Sequence, residues 1–190
     1  MLASICCTLL KIFGWKTELT IEQPKKYVLI GAPHTSNWDF PLTLLALSCM
    51  GIKFNWVAKH TLFKWPLGPL FRAIGGVSVD RSAGASFLIK TIELYDQSSR
   101  LILAIAPEGT RGKTTHWKTG FYTIAEKSGV PIALGFIDYQ RKCIGITKIL
   151  TPTGDIDKDF EIIREFYSDK AGKFPAKQGA IRLKKRKKGD

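Results

Sequence analysis

Short apolar runs alternate with longer helix-like windows from residue 27 to about residue 150. Several of the runs are continuous rather than alternating in polarity, which is typical of strands covered on both faces. This alternation favours an α/β fold: a single domain with a mostly parallel sheet flanked by helices. The predicted strands are residues 27–32, 54–58, 77–79, 101–106 and 131–136. The predicted helices are residues 37–50, 83–97 and 121–127, followed by a hairpin within 137–150 and an amphipathic helix over 156–167.

The positive charge of the chain is unevenly distributed. Residues 171–190 carry eight Lys and Arg side chains against one Asp, so this stretch holds +7 of the total net charge of +13. Such an excess implies anionic partners, which include nucleic acid, phosphorylated metabolites and lipid headgroups. The sequence therefore divides into an apolar, amphipathic N-terminal segment (1–20), an α/β domain (21–170) and a polybasic tail (171–190).

The apolar segments and the cysteines indicate in which cellular compartment the protein works. No run approaches the roughly 18 apolar residues that a membrane-spanning helix needs, and the N-terminus lacks the basic region and cleavage site of a signal peptide. The four cysteines form no C-x-x-C pair. We therefore expect neither a zinc site nor a disulfide framework, and a reducing, cytosolic setting fits this cysteine usage better.

Polar and titratable residues follow four of the predicted strands. The segments are PHTSNWD (33–39), KHTLFKWP (59–66), DRS (80–82) and PEGTRG (107–112). In open α/β sheets, ligands bind beyond the carboxyl ends of the strands. Four such segments in register predict a functional site at this edge of the sheet.

His34 and Asp39 are the most informative pair in these segments. On one helix, five residues of separation would place them about 140° apart around the axis. They meet only if His34 ends a strand and Asp39 lies in the first turn of the next helix. The carboxylate would then fix the imidazole tautomer and raise the basicity of the other ring nitrogen. Alternatively, Ser36 and Asp39 form a variant capping box at a helix N-terminus, which is compatible with that pairing.

The ordered motifs resemble those of the glycerolipid acyltransferases, of which the lysophosphatidic acid acyltransferases are the best-known members. Residues 33–39 resemble the H-x-x-x-x-D motif of this family, residues 75–81 its second block, residues 106–111 its P-E-G-T-R block and residues 130–134 its fourth block. Departures from the usual pattern indicate a divergent branch of the family. The acceptor can therefore be an ornithine-lipid-type molecule or another lysophospholipid. These departures are Pro33, Ala106, Gly112 and Gly135.

The resemblance implies transfer of a fatty acyl group to a hydroxyl of a glycerol-phosphate or lysophospholipid-like acceptor. Acyl-coenzyme A or acyl carrier protein would be the co-substrate, with no tightly bound cofactor and no metal. His34 would be the general base and Asp39 its partner, with no covalent intermediate. We expect Glu108 to orient an arginine or an acceptor hydroxyl. The implied acceptor and phosphate site comprises Arg81, Glu108, Gly109, Thr110 and Arg111.

Further positions match the family less specifically. Lys59 corresponds to a lysine that members often carry after the second strand, where it would bind an oxyanion or a phosphate, although a solvated lysine is the alternative. Lys118 and Gly120 resemble a K-x-G segment and would support the site. His60 either lines the site or has a surface or core role, and His116 follows a polar turn that favours solvation.

An acceptor embedded in a leaflet predicts peripheral contact with an anionic membrane, on its cytoplasmic face. A polybasic tail near such a surface gains about 1 kcal/mol per Lys or Arg held close, although a solubilising or RNA-contacting tail is the alternative. Two apolar patches are candidates for contact with the membrane, and the alternative for each is a helix packed on the sheet. The first patch is Leu2, Ile5, Leu9, Leu10, Ile12, Phe13 and Trp15, beside Lys11 and Lys16. The second is Phe63, Trp65, Pro66, Leu67, Leu70 and Phe71, with Lys64 and Arg72 among them.

Two other functions compete with acyl transfer. A hydrolase of acyl esters or thioesters would use the same His34–Asp39 pair with water as the acceptor, and it would turn over without a lysophospholipid. A nucleic-acid-binding module would act through the basic tail. That second alternative does not explain the motif at residues 107–111, so nucleic acid is not the expected partner.

Overall fold

A computed structural model describes residues 2–79 and 84–184. Within them, seven strands form one sheet in the order β1-β7-β6-β2-β5-β3-β4. Neighbouring strands run parallel except for the antiparallel pair β6 and β7, which confirms the predicted α/β class with a mostly parallel sheet. The strands are β1 (Lys16–Leu19), β2 (Lys26–Ala32), β3 (Asn55–Lys59), β4 (Gly76–Val79), β5 (Leu101–Ile105), β6 (Ile132–Asp138) and β7 (Cys143–Leu150).

Helices connect and flank these strands. The pattern did not predict β1, which has only four residues of which two are charged, or α3, which has only six residues. The predicted strands and the final amphipathic helix are present with bounds close to those expected. The hairpin expected within residues 137–150 begins earlier, at residue 132, because its first arm is the predicted strand at 131–136, here β6, and only its second arm, β7, is additional. The helices are α1 (Leu2–Ile12), α2 (Asp39–Cys49), α3 (Gly68–Ala73), α4 (Gly84–Gln97), α5 (Gly120–Lys127) and α6 (Ile156–Tyr167). Short 3₁₀ turns occupy His60–Phe63 and Pro175–Lys177.

The core explains why the central strands are continuously apolar. Val28 and Ile30 of β2 belong to the buried cluster that includes residues of α5 and α6. Tyr27 and Leu29 of the same strand belong to a second cluster that includes Leu47 of α2. Since successive residues of a strand point to opposite faces, helices on both faces of β2 require apolar residues at every position. β2 is thus packed between two layers of side chains.

A disulfide joins Cys7 of α1 to Cys49 at the end of α2. The expectation that the cysteines form no disulfide is therefore wrong for this pair, and cysteine usage no longer favours a reducing setting. Cys6 and Cys143 are free and buried. The pairing escaped sequence reasoning because it depends on α1 packing against α2, and the two cysteines are 42 residues apart with no local motif.

Part of each predicted membrane-contact patch is buried. Leu10 is 2% exposed and Trp15 8% exposed, because both pack in the cluster formed by α1, α2 and the β6–β7 hairpin. Phe63 is 5% exposed and packs on Trp56. The prediction of lipid contact is therefore wrong for these three residues. No helix within the described residues is both long and apolar enough to cross a bilayer.

Residues 170–184, here named the C-terminal strap, lie against the domain. The backbone N–H of Tyr139 donates to the carbonyl oxygen of Ala171 at 2.8 Å. Farther along, Nε of Arg182 donates to the carbonyl oxygen of Thr115 at 2.6 Å. The last six residues of the chain, which hold four of the eight cations expected in a tail, lie outside the described part.

Candidate active site

The carboxyl end of β2 carries the candidate site. β2 lies between β5 and β6 and runs parallel to both, so the segments that follow β2 and β5 emerge side by side. His34 comes two residues after β2, and Asp39 is the first residue of α2. The structure brings the pair together, with Nδ1 of His34 3.0 Å from Oδ2 of Asp39.

The loop between His34 and Asp39 is closed by hydrogen bonds to the Asp39 carboxylate. Oδ2 of Asp39 accepts the backbone N–H groups of Thr35 and Ser36, each at 2.9 Å. The hydroxyl of Ser36 in turn accepts the backbone N–H of Trp38 at 3.2 Å. The carboxylate therefore holds the loop that leads into α2 and contacts the imidazole at the same time. Only one half of the predicted capping box is present, because Asp39 accepts the N–H of Ser36 but no side chain caps Trp38 at the start of α2.

Tyr139, in the turn between β6 and β7, completes the environment of Asp39. Its hydroxyl donates to Oδ1 of Asp39 at 2.7 Å. Burial alone raises the pKa of Asp39, but hydrogen bonds from His34, Ser36 and Tyr139 outweigh it and leave that pKa below its usual value. Burial and the neighbouring Asp39 carboxylate raise the pKa of Tyr139, which keeps the hydroxyl protonated as a donor. Sequence reasoning missed Tyr139 because it lies 100 residues from Asp39 and belongs to no motif.

Glu108 contacts the opposite side of His34. Its Oε1 accepts the backbone N–H of His34 at 2.9 Å, while Oε2 is buried with no hydrogen-bond partner among the described residues. Burial raises the pKa of Glu108, and the hydrogen bond from His34 offsets only part of that effect. We expected Glu108 to orient an arginine or an acceptor hydroxyl; the contact found in the described residues is with the His34 backbone.

The other residues of the P-E-G-T-R segment form the loop after β5. Gly109 has a φ of +66°, in the left-handed region that favours glycine. A Cβ at Gly109 would lie 3.1 Å from Cδ and Cε of Lys118, so the lysine stem packs directly on this glycine. Thr110 is exposed and its hydroxyl accepts the N–H of Gly112 at 3.3 Å. Gly120 begins α5, so both residues of the K-x-G segment border this loop.

The structure gives less information on four further candidate site residues. Lys59 is the last residue of β3, and its side chain lies outside the described part of the structure. Arg81 lies outside the described residues altogether. His60 is exposed in a 3₁₀ turn, and Nδ1 of His116 is 3.0 Å from the hydroxyl of Thr115. Within the described ranges, no three His, Cys, Asp or Glu side chains are grouped as metal ligands.

A cleft of about 370 Å³ opens beside the loop that joins His34 to Asp39. It combines hydroxyl and amide side chains with two aromatic rings and two cations. Its described lining carries positive charges and no carboxylate. The lining residues are Thr35, Ser36, Asn37, Trp38, Arg111, Phe174 and Lys177.

These contacts define what His34 can do chemically. A neutral imidazole that donates Nδ1–H to the Asp39 carboxylate has its lone pair on Nε2. An ionised partner also stabilises the imidazolium that forms when Nε2 takes a proton. The pair is thus equipped to deprotonate a hydroxyl group next to a cationic cleft.

Comparison with known proteins identifies a family and a similar solved structure. The family described as Acyltransferase matches residues 16–133, more than half of the chain. The crystal structure of the 1-acyl-sn-glycerophosphate (LPA) acyltransferase PlsC from Thermotoga maritima is similar, with a TM-score of 0.63 and 20% sequence identity. The alignment covers 90% of this chain and 80% of that one, and at this identity it shows a shared fold. No curated protein sequence matches the chain significantly.

Proposed function

The chain belongs to the acyltransferase family, and from this we propose that it moves a fatty acyl group onto a hydroxyl of a glycerol-phosphate or lysophospholipid-like acceptor. The donor is acyl-coenzyme A or acyl carrier protein. The observation that carries this proposal is the contact between Nδ1 of His34 and the buried carboxylate of Asp39, beside a cleft lined by cations.

His34 acts as the general base. Its Nε2 takes the proton of the acceptor hydroxyl as the oxygen attacks the carbonyl carbon of the thioester. The tetrahedral intermediate then collapses, the carbon–sulfur bond breaks, and the thiolate recovers the proton from the imidazolium. Asp39 stays ionised throughout, which its lowered pKa supports. Base assistance of this kind contributes roughly 10²–10⁴-fold to the rate.

The P-E-G-T-R loop and its neighbours bind the substrates. Arginines bind phosphate in a bidentate fashion, which supports a role for Arg81 and Arg111 in holding an acceptor phosphate. Lys59 would bind the phosphate or the thioester oxyanion. Lys118 and Gly120 support the loop, as the packing of Lys118 on Gly109 suggests. The proposed substrate-binding residues are Arg81, Glu108, Gly109, Thr110, Arg111 and Lys59.

We also propose that the protein meets its acceptor at a membrane surface. Two exposed apolar groups support this, since amphipathic segments bind the interface through their apolar face. The membrane surface would be anionic, in keeping with the net charge of +13. The first group, on and just after α1, is Leu2, Ile5, Leu9, Ile12 and Phe13. The second, in and around α3, is Trp65, Leu67, Leu70 and Ile74.

Substitution of His34 tests the proposal. Purified wild-type protein and His34→Ala are supplied with lysophospholipids in anionic vesicles, using acyl-coenzyme A and acyl carrier protein donors in separate reactions. Mass spectrometry measures the diacyl product. We expect the variant to lose at least about 10²-fold in rate, because only the base is removed. The matched control is His116→Ala, which removes a histidine that contacts Thr115 and should retain the wild-type rate.

The same experiment separates transfer from hydrolysis. A reaction without acceptor should release free fatty acid slowly or not at all, because the proposed nucleophile is the acceptor hydroxyl. Rapid acyl release without acceptor, abolished by His34→Ala, would make the protein a hydrolase. Near-normal transfer by a folded His34→Ala protein would remove His34 from the mechanism.

A further inference from the structure

The C-terminal strap reaches the catalytic loop itself. The backbone N–H of Phe174 donates to the hydroxyl of Thr35 at 3.2 Å, and Thr35 directly follows His34. Ala171 accepts the backbone N–H of Tyr139, whose hydroxyl holds Asp39. The strap is thus attached to both sides of the His34–Asp39 pair.

Two glycines let the strap pass close to the domain. A Cβ at Gly172 would lie 2.7 Å from the hydroxyl oxygen of Thr35, and a Cβ at Gly179 would overlap the carbonyl oxygen of Thr114. Between them, the side chain of Gln178 accepts the N–H of Gly172 at 2.9 Å and donates to the carbonyl of Lys170 at 3.1 Å. These contacts fix the position of the residues between the glycines.

The segment fixed in this way forms one wall of the cleft beside the catalytic loop. Phe174 and Lys177 line the cleft together with Trp38 and Arg111, which belong to the family motifs. Nζ of Lys177 lies 4.6 Å from the ring centroid of Phe174, within the range of a cation–π contact. Lys177 is exposed and forms no ion pair among the described residues. Its charge is therefore available to a ligand.

We propose that the strap completes the acceptor site, and that Lys177 together with Arg111 selects an acceptor that carries a phosphate headgroup. This inference rests on the proposed acyl transfer and adds to it a binding residue from outside the family motifs. Two cations in a cleft whose described lining contains no carboxylate favour an anionic group. Thr35 and Ser36 also line the cleft, and their hydroxyls can form hydrogen bonds with a phosphate group.

Two arguments favour the acceptor rather than the donor as the source of the phosphate. Thr35 and Ser36, which directly follow His34, line the cleft, so a headgroup bound there would bring the glycerol hydroxyl of the acceptor toward the base. Trp38 is 61% exposed and Phe174 43% exposed at the cleft, and aromatic rings beside lysines are typical of surfaces at the headgroup level of a bilayer. Both features suit a lipid whose headgroup enters the cleft.

Charge reversal at Lys177 tests the inference. Initial rates are measured for Lys177→Glu with a soluble short-chain acylglycerol 3-phosphate and with the matching monoacylglycerol, which lacks the phosphate. We expect the KM for the phosphate acceptor to rise about tenfold or more, with kcat within about threefold of wild type. The KM for the monoacylglycerol and for the acyl donor should not change. Because Lys177 is exposed, the variant is expected to fold.

Lys90→Glu is the matched control, since it makes the same charge change on the exposed face of α4 and should keep every KM. An unchanged KM for Lys177→Glu, an equal rise for both acceptors, or a rise confined to the donor would each overturn the inference. The last result would mean that the cleft binds the phosphates of coenzyme A.

Calorimetry separates this inference from the acyl-transfer proposal. The acylglycerol 3-phosphate is titrated into wild type, His34→Ala and Lys177→Glu. We expect the Kd to be unchanged in His34→Ala and about tenfold weaker in Lys177→Glu. If no acceptor is turned over by wild type, acyl transfer fails, but a Lys177-dependent Kd still supports the phosphate site. Absence of binding, or a Kd that ignores Lys177, rejects the site even when turnover is normal.

Discussion

Two buried carboxylates contact His34, and their pKa values are shifted in opposite directions. Asp39 is 2% exposed and Glu108 8% exposed, and each contacts His34. Asp39 receives four hydrogen bonds across its two oxygens, and these hold its pKa below the usual value despite burial. Glu108 receives one hydrogen bond from His34 and its pKa is raised. The charged form is thus favoured at Asp39, where donors converge, and the neutral form at Glu108, where burial has the larger effect.

The two carboxylates can therefore have different roles. Asp39 contacts the imidazole and can stabilise an imidazolium during proton transfer. Glu108, whose pKa is raised, holds the backbone of His34 and so helps to fix the position of the ring. Three substitutions separate these roles, beginning with the one expected to have the largest effect.

Asp39→Asn removes the charge while keeping the shape of the side chain. We expect kcat/KM to fall by about 10³-fold, because the imidazolium loses its anionic partner. The variant should also lose about 1–3 kcal/mol of stability at neutral pH, since the amide cannot accept all the donors that face the carboxylate. Steady-state kinetics and urea unfolding measure the two effects.

The stability loss in Asp39→Asn should depend on pH. Because the folded-state pKa of Asp39 is lowered, its carboxylate stabilises the fold above the ordinary Asp value of about 4. That contribution disappears as the pH falls through the folded-state pKa. Wild type and variant should therefore converge in acid. A rate loss below about tenfold would show that the charge of Asp39 is not used in proton transfer.

How far the sequence predicts this site depends on the separation of the residues along the chain. The strand–loop–helix unit that joins His34 to Asp39 was predictable, because a continuous apolar run ends just before His34 and a helix pattern begins near Asp39. The fold class followed from similar runs. The contacts from Glu108 and Tyr139 to this unit span 74 and 100 residues, and no local pattern indicates them.

The C-terminal strap shows the same limit. Its lysines drew attention to charge, whereas its position depends on Gly172 and Gly179, which allow close approach, and on the hydrogen bond from Phe174 to Thr35. Glycine and phenylalanine at such spacing have no periodicity that predicts where a segment docks. The burial of Leu10 in α1 was unpredictable for a related reason, since an amphipathic helix can turn the same apolar face to protein or to lipid.

Tyr139→Phe removes one donor from Asp39, and its effect should be intermediate. With one hydrogen bond fewer, the folded-state pKa of Asp39 should rise toward its ordinary value, because Tyr139 is one of the donors that lower it. The stability that the ionised carboxylate contributes is then lost at a higher pH on acidification than in wild type. We expect a loss of about 0.5–1.5 kcal/mol of stability at neutral pH and a smaller loss of kcat/KM than in Asp39→Asn. Urea unfolding at a series of pH values and steady-state kinetics measure the two effects.

Tyr95→Phe is the matched control for Tyr139→Phe. Its hydroxyl is buried and donates to a backbone carbonyl, that of Tyr27, at 2.8 Å. The control should lose about 1 kcal/mol of stability at every pH and keep the wild-type rate. A stability loss in Tyr139→Phe that does not change with pH would indicate that the hydroxyl only supports the structure of the turn between β6 and β7.

Glu108→Gln tests the other side of His34 and should have the smallest effect on the fold. The amide oxygen can still accept the N–H of His34, and the second oxygen has no partner among the described residues to lose. We therefore expect a stability change below about 2 kcal/mol at neutral pH. Urea unfolding across pH 4–8 measures this change.

The sign of the pH dependence distinguishes Glu108 from Asp39. With a folded-state pKa above the unfolded value, Glu108 contributes fully below about pH 4, and this contribution is lost as the pH rises through the folded-state pKa. Glu108→Gln lacks the loss, so its stability relative to wild type should increase from pH 4 upward, opposite to Asp39→Asn. A relative stability that decreases with pH would mean that Glu108 is held as a carboxylate, and the contrast between the two sides of His34 would then be wrong.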